Sequence, residues 1–273
     1  MPRSTLRPGR LPGRLAGRLD GLFHGGMLGV VAAAAALAAV VVALLVVPPD
    51  AVQGQAQRLM YLHVPAAWTA YLAFAAVALS SLATLAGGHD PRWESLGQAA
   101  AELGVAMTAV TLVEGSIWGH SAWGVWWAWD PRLVSTAALF LVYVGYLALR
   151  ALPGDPVRVR RRAAVLGAIA IVQVPVVHFS VLWWRTLHQP PSILGPELSS
   201  PPMAGSMMAT LFLAVFAFTL AGAWYVTRRV EQLLPAAPDE AGRACRDAGT
   251  ERAGADRADR AAATVPTGSR EPV

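Results

Sequence analysis

The sequence has few charged residues, a single cysteine and no lysine. Charged side chains make up 14% of its 273 residues, against roughly a quarter in a soluble domain. The charge-free stretches that result need a lipid bilayer, or a bundle of similar helices, around them. The lone cysteine, Cys245, leaves no internal disulfide and no CxxC redox pair. The composition therefore excludes a soluble globular domain and a disulfide framework.

Motifs of several enzyme classes are also absent. The chain has no HExxH zinc motif, no GxSxG nucleophile elbow and no glycine-rich phosphate loop. It also lacks the closely spaced Cys and His ligands of a structural zinc site. We therefore predict a protein that is not an enzyme, that holds no bare metal ion and that does not use ATP itself.

The apolar stretches predict an all-α integral membrane protein with six transmembrane helices. Each stretch has close to the ~20 residues that a span needs. Five arginines precede the first stretch, which is longer than the apolar core of a signal peptide, so we expect a retained helix. The six stretches are residues 27–47, 64–86, 98–118, 131–149, 163–182 and 206–227.

The arginines predict the orientation of these helices. Segment 1–26 and segment 150–162 hold five arginines each, whereas the connections on the other side hold only Arg58 and Arg185. The positive-inside rule then places both termini in the cytoplasm, an N-in/C-in topology. This distribution explains the net charge of +5 without nucleic acid. We expect residues 1–26 to form a basic cytoplasmic N-terminal segment, residues 27–227 to form the six-helix membrane domain and residues 228–273 to form a disordered cytoplasmic tail.

Tryptophan is concentrated on the predicted outward side. A membrane-interface belt would explain one or two tryptophans per helix end, but segment 118–130 holds five. This segment is too short to span and is interrupted by glycine, so we predict that it lies along the membrane surface. Such a surface could hold a large, flat, apolar ligand. The outward tryptophans are Trp118, Trp123, Trp126, Trp127, Trp129, Trp183 and Trp184.

Four of the six histidines are predicted to lie on the same side. His178 follows Pro175 within a helix, which favours a packing role at a proline kink. His63 and His188 belong to different helices and flank the tryptophans. Neutral imidazole is a common axial ligand of haem iron, and two imidazoles fill both axial positions. We therefore predict a haem site, with His63 and His188 as the candidate ligands of the iron.

Three charged residues near this site have alternative interpretations. Asp130 precedes Pro131, a pattern that predicts a helix N-cap, although contact with a ligand is the competing interpretation. Arg132 could attract a carboxylate at the same helix start or could be neutralised by Asp130. Glu114, inside the third stretch, could reach the interface or pair within the bundle, or it could tune a nearby histidine or arginine.

Three motifs resemble one known family. The run from Trp123 to Leu133, WGVWWAWDPRL, looks like the tryptophan-rich signature of the haem-handling CcmC/CcmF/CcsA family. Segments 61–67 (YLHVPAA) and 178–189 (HFSVLWWRTLHQ) resemble the two histidine motifs of its CcmC branch, and segment 115–119 matches the lead-in to the signature. The resemblance implies that His63 and His188 are the axial ligands. It implies a platform built from Trp123, Gly124, Trp126, Trp127, Trp129, Asp130 and Arg132.

The resemblance also implies a function and partners. A family member would bind haem b transiently at the outer face of the bacterial cytoplasmic membrane and pass it to a membrane-anchored haem chaperone during c-type cytochrome biogenesis. It would work with ABC-type ATPase and permease subunits, which supply ATP hydrolysis, and with a small single-span subunit. Two alternatives stay open: a CcsA-like cytochrome c synthase subunit, and a membrane scaffold or permease component that binds no haem.

Overall fold

The computed structural model of the protein describes residues 13–87, 90–188 and 204–234, with residues 13–25 as backbone only. Residues 1–12 of the N-terminal segment and residues 235–273 of the tail therefore lie outside the described residues, and so does His89. The described part contains seven α-helices and no strand. They are α1 (Gly13–Val41), α2 (Met60–Leu85), α3 (Pro91–Trp123), α4 (Pro131–Ala151), α5 (Pro156–Ala170), α6 (Gln173–Trp183) and α7 (Gly205–Leu233).

The prediction of an all-α membrane protein with six spans is confirmed. Six helical stretches are long and apolar enough to cross a bilayer. A π-helical turn, Val42–Val46, extends α1, and a 3-10 turn, Gln55–Leu59, leads into α2. Helices α5 and α6 together form one span, Pro156–Trp183. They count as two helices because the α-helix is interrupted at Ile171 and Val172. Pro175 explains the break, since its ring clashes with the carbonyl four residues earlier, at Ile171.

Several helices are longer than predicted, and one difference changes the proposed site. Helix α3 has 33 residues, about 50 Å at 1.5 Å per residue, so it extends beyond the membrane core. It includes Trp118, His120 and Trp123. The prediction that all of segment 118–130 lies along the surface is therefore wrong, and only residues 124–130 leave the helix. The indoles in the last turns of α3 project from a rigid element.

Helix α2 lies at the centre of the bundle, where small residues let other helices approach closely. Gly97 and Gly104 of α3 face Ser80 and Phe74 of α2 without room for a side chain. Gly222 of α7 faces Thr69 in the same way. Such contacts are typical of membrane helices, which associate through close packing because lipid supplies no hydrophobic driving force. The core beside α2 includes Phe74 stacked on Tyr143, with ring centroids 3.7 Å apart.

The two ends of the bundle differ in their polar contacts. At one end, which we call the arginine end, Arg160 pairs with Glu94 at 2.6 Å, and two nitrogens of Arg229 contact the Glu102 carboxylate at 2.7 and 3.1 Å. These pairs join α5 and α7 to α3 and explain two acidic residues of a transmembrane helix. The opposite end, the aromatic end, carries residues 116–130 and 183–188. The arginine end therefore corresponds to the predicted cytoplasmic side.

We predict opposite effects for alanine at two glycines. A Cβ on Gly104 would press into the Phe74 ring, which cannot move aside because it stacks on Tyr143. Gly104→Ala should therefore destabilise the protein by about 1–3 kcal/mol. A Cβ on Gly145 of α4 would meet nothing within 4 Å, so Gly145→Ala should leave stability unchanged or raise it through helix propensity. Thermal unfolding of the purified protein in detergent measures both effects, and a Gly104→Ala variant as stable as wild type would contradict the packing.

Candidate functional site

His63 lies in the first turn of α2, where the packing of α3 fixes its imidazole. A Cβ on Gly115 would come within 2.8 Å of His63 Cε1, so this glycine provides the space for the ring. The ring lies edge-on to Trp118, with centroids 5.8 Å apart. Trp118 is itself oriented by a 2.9 Å hydrogen bond from its Nε1 to Gln53 Oε1. The Nδ1 atom of His63 is buried without a hydrogen-bond partner.

Gly124 ends α3 and turns the chain into the extended segment 125–130. Its φ angle of 77° is left-handed, a conformation that favours glycine, and its N–H donates to the carbonyl of His120 at 3.0 Å. The turn brings Trp126 back onto α3, where it stacks on His120 with centroids 4.1 Å apart. Ser116 also donates to the carbonyl of Trp126. His120 therefore supports the tryptophan segment as a packing partner.

Asp130 connects the start of α4 to the segment that carries His188. One carboxylate oxygen accepts from the backbone N–H of Arg132 at 2.9 Å, the N-cap that the sequence predicts. The other oxygen accepts from the Thr186 hydroxyl at 2.6 Å and from the Leu187 N–H at 2.7 Å. Asp130 is only 5% exposed, so these bonds are protected from water. The predicted cap is therefore present, and the same side chain also holds the segment that carries His188, whereas contact of Asp130 with a ligand stays a prediction.

His188 lies at the end of this anchored segment. Its Nδ1 is 3.4 Å from Asp130 Oδ1, but the alignment is too poor for a hydrogen bond and the nitrogen has no other partner. The imidazole lies edge-on to Trp123, with centroids 5.0 Å apart. His188 is also close enough to His63 for the two to interact electrostatically. Two histidines, one from α2 and one that follows α6, therefore lie at the aromatic end, and one nitrogen of each has no hydrogen-bond partner among the described residues.

Charge at the site comes from Asp130 and Arg132. Burial by itself raises the pKa of Asp130, but hydrogen bonds from Thr186, Leu187 and Arg132 and the nearby His188 lower this pKa by more, so the carboxyl is ionised at neutral pH. Burial lowers the pKa of His188, the Arg132 guanidinium lowers it further, and Asp130 only partly opposes them. His188 is therefore neutral at neutral pH, the form whose nitrogen lone pair can bind a metal.

The Arg132 side chain lies among several aromatic and imidazole groups. It is near enough to His63, His188, His178 and Tyr71 to interact with each electrostatically. No carboxylate of the described residues forms an ion pair with it, so Asp130 does not neutralise Arg132 in the way that the sequence allowed. Its charge is available to an anion at the aromatic end.

The structure narrows the alternatives for Glu114 and places His178 as a packing residue. Glu114 is 5% exposed, and in the described part of the chain both of its carboxylate oxygens are buried without a partner, so it neither reaches the interface nor pairs there. Its alternative role, the tuning of a nearby histidine or arginine, stays a prediction. His178 Nε2 is likewise buried without a partner, so this nitrogen does not repair the kink at Pro175. The His178 ring lies edge-on to Tyr71, with centroids 6.4 Å apart.

The predicted tryptophan platform consists of two groups. Trp118 and Trp123 are partly buried and contact the two histidines. The other five indoles are exposed, and in the described residues none of them contacts His63 or His188. Trp183, the last residue of α6, lies edge-on to Trp184, with ring centroids 5.8 Å apart. The exposed indoles are Trp126, Trp127, Trp129, Trp183 and Trp184.

The side chains at the aromatic end are of the kinds that hold a flat ligand with a central metal. In the described ranges no three His, Cys, Asp or Glu residues converge on one point, so the protein side chains do not form a complete metal site there. Two unpartnered imidazole nitrogens, a nearby cation and exposed indoles instead match a metal held by its own macrocycle. The motifs identified the histidines and tryptophans, but they did not show that Gln53 and Thr186 position them. Nothing in the sequence distinguishes Gln53 or Thr186 from other loop residues, because each acts through a partner that is distant in the chain.

Known proteins are similar to the chain over this whole region. The model of the family described as Heme exporter protein C matches residues 21–240. A Heme exporter protein C from Bradyrhizobium diazoefficiens is 39% identical over 64% of the chain, and the match spans just under two thirds of that relative, 65% of its length. The protein of that name from Escherichia coli K12 is 36% identical over 68% of the chain and 74% of its own length. A putative cytochrome c biosynthesis ccmC-like mitochondrial protein from Marchantia polymorpha is 38% identical over 68% of the chain and 78% of its own length.

We predict that the removal of one carboxylate loosens the His188 segment. Asp130→Ala removes the acceptor for Thr186 and Leu187, so backbone amides of residues 186–188 should exchange with deuterium faster. It should also destabilise α4 by about 1 kcal/mol through loss of the cap. Hydrogen exchange followed by mass spectrometry measures the first effect.

The matched control is Asp155→Ala, since Asp155 caps α5 through Val157 in the same way but has no contact with the His188 segment. It should leave exchange at residues 186–188 unchanged. Equal exchange in both variants would show that Asp130 acts only as a helix cap.

Proposed function

Because the chain belongs to the Heme exporter protein C family, we propose that it binds haem at its aromatic end and passes it on during c-type cytochrome biogenesis. It is a multi-pass membrane protein, and its family role is the handling of haem rather than enzymatic turnover. The observation that carries the proposal is the presence of His63 and His188 at the same end of the bundle, each with an imidazole nitrogen that has no partner in the described part of the chain. We take the cargo to be haem b, held transiently.

The two histidines would supply the axial ligands of the iron. His63 is held within a helix, against Gly115 and Trp118. His188 is held outside a helix and depends on the bonds between Asp130 and its neighbours. The second attachment is easier to disturb, because a few hydrogen bonds maintain it and no helical ladder does. We therefore propose that haem leaves by exchange of the His188 ligand for one from the acceptor, while His63 keeps hold until the transfer is complete.

The surrounding side chains suit the rest of the macrocycle. Trp118 and Trp123 flank the imidazoles and offer apolar and aromatic contact. Arg132, which has no carboxylate partner in the described part of the chain, would pair with a propionate. The exposed indoles, from Trp126 to Trp184, would form the surface on which the acceptor docks.

The proposal includes several partner proteins. A membrane-anchored haem chaperone would take the haem at the aromatic end, which the arginine distribution places outside the cytoplasm. ABC-type ATPase and permease subunits, with a small single-span subunit, would complete the complex. ATP hydrolysis must come from a partner, since the sequence contains no phosphate-binding loop.

Absorbance spectroscopy of purified variants tests haem binding. Wild type produced with ample haem should show a Soret band, because two imidazoles and the indole surface retain the cargo. His63→Ala and His188→Ala should each weaken and shift this band by removal of one axial ligand, and the double variant should lose it. His120→Ala is the matched control, since His120 lies at the same end but packs on Trp126. A colourless wild type, or an unchanged band in the double variant, would refute the proposal and favour a scaffold.

Site-specific photocrosslinking tests delivery. Trp129 is 85% exposed at the aromatic end, and Trp93 is 39% exposed near the arginine end, so the two positions form a matched pair. A photoreactive phenylalanine at position 129, in cells that express the full complex, should capture the haem chaperone more strongly when haem is available. The same probe at position 93 should not. Capture of apocytochrome at position 129, without a chaperone, would favour a cytochrome c synthase subunit.

A further inference from the structure

An arginine-lined groove runs along the outer face of α5, at the arginine end. Three guanidinium groups, from Arg158, Arg161 and Arg162, border its polar part, and Val165, Leu166 and Ile169 form its apolar part. The groove has a volume of about 480 Å³. It lies far from the histidines and tryptophans of the aromatic end, and nothing in the proposed haem function uses it.

The pattern of exposure along α5 shows that the groove faces away from the bundle. Ala163, Ala164, Gly167 and Ala170 are buried, and Gly167 packs against Ser81 of α2. Arg161, Arg162, Val165 and Ile169 are exposed on the other face. These positions follow the helical spacing of three or four residues, so they form one continuous stripe. In a membrane, lipid would contact this stripe.

Two of the three groove arginines, Arg161 and Arg162, have no ion-pair partner in the described part of the fold. Arg160, on the neighbouring face, pairs with Glu94, and Arg158 lies 3.4 Å from the exposed Asp155. No carboxylate of the described residues lies within ion-pair distance of Arg161 or Arg162. Arg158 also precedes Arg161 and Arg162 by three and four residues, a spacing at which like charges on a helix destabilise each other. The concentration of charge is therefore unfavourable for the protein alone and would be relieved by a bound anion.

We propose that this groove binds an anionic phospholipid of the cytoplasmic leaflet. Along the membrane normal, the groove and a phospholipid have matching parts. The arginines lie at the end of the span, where the headgroup would be, and the apolar side chains lie towards the membrane centre, where the acyl chains would be. The guanidinium groups would bind the phosphate through charge-assisted hydrogen bonds, and an acyl chain would lie along Val165 and Ile169. Basic pockets on this side of membrane proteins are suited to anionic headgroups. The apolar half separates this site from one for a soluble phosphate.

The test uses the full chain in nanodiscs of phosphatidylcholine, titrated with phosphatidylglycerol or cardiolipin. Native mass spectrometry counts the anionic lipids retained per protein. Each arginine near a membrane surface contributes about a fivefold factor in affinity, so Arg161→Gln with Arg162→Gln should weaken retention about 25-fold. The matched control, Arg92→Gln with Arg228→Gln, removes two charges from the same end, outside the groove. It should retain lipid as wild type does.

Each other outcome would overturn the proposal in a distinct way. Equal losses in the two double variants would mean that net charge attracts the lipid and that the groove has no role. Displacement of the lipid by glycerol 3-phosphate at similar concentration would identify a soluble-phosphate site. If the protein retained anionic lipid no better than phosphatidylcholine, the lipid proposal would be refuted, and an acidic segment of a partner protein would become the better candidate for the groove. The readout does not involve haem, so failure of this proposal is independent of the proposed function.

Discussion

The Asp130 carboxylate is the interaction on which the geometry of the aromatic end depends. One oxygen caps α4, and the other binds Thr186 and Leu187. Asp130 is thus held to residues that follow it by 56 and 57 positions in the chain. The carboxylate is almost fully buried, and a buried charge is tolerated only when several donors satisfy it. The same group lies beside the His188 ring, 3.4 Å from its Nδ1. One side chain therefore both caps the start of α4 and holds the segment that carries a candidate ligand.

The two histidines are supported differently, and this difference suits a protein that must release its cargo. His63 is fixed by helix packing, because Gly115 and Trp118 leave its ring little freedom. Packing in a close-fitting bundle is lost only when helices separate. His188 instead follows α6 on a segment held by hydrogen bonds, which can open locally while the bundle stays intact. In the proposed function, His63 would hold the haem firmly and His188 could release it, so that the haem would be retained and still transferred.

The distribution of ion pairs separates stability from function along the bundle. At the arginine end, Glu94 and Glu102 each have an arginine partner from another helix, and these contacts fix the relative positions of α3, α5 and α7. At the aromatic end, Arg132 and the buried Glu114 have no opposite charge among the described residues. Unpaired polar groups are unfavourable for folding, and they persist where a ligand or partner can satisfy them. Ion pairs therefore hold the helices together at the arginine end, whereas the aromatic end keeps polar groups that a ligand or a partner could pair with.

The sequence by itself determined the membrane fold and the residue types of the site. Apolar stretches of about twenty residues can be stable only as spans. The unequal numbers of arginines in the loops of the two sides predicted which end of the bundle is cytoplasmic. The motifs around His63, Trp123 and His188 indicated haem without any coordinates. Tertiary structure alone decided that α3 continues to Trp123, that Trp118 and Trp123 rather than the other indoles contact the histidines, and that Glu114 has no partner. These facts depend on which distant side chains meet. Composition and periodicity report the environment that a residue prefers, whereas its neighbours are set by the packing of whole helices.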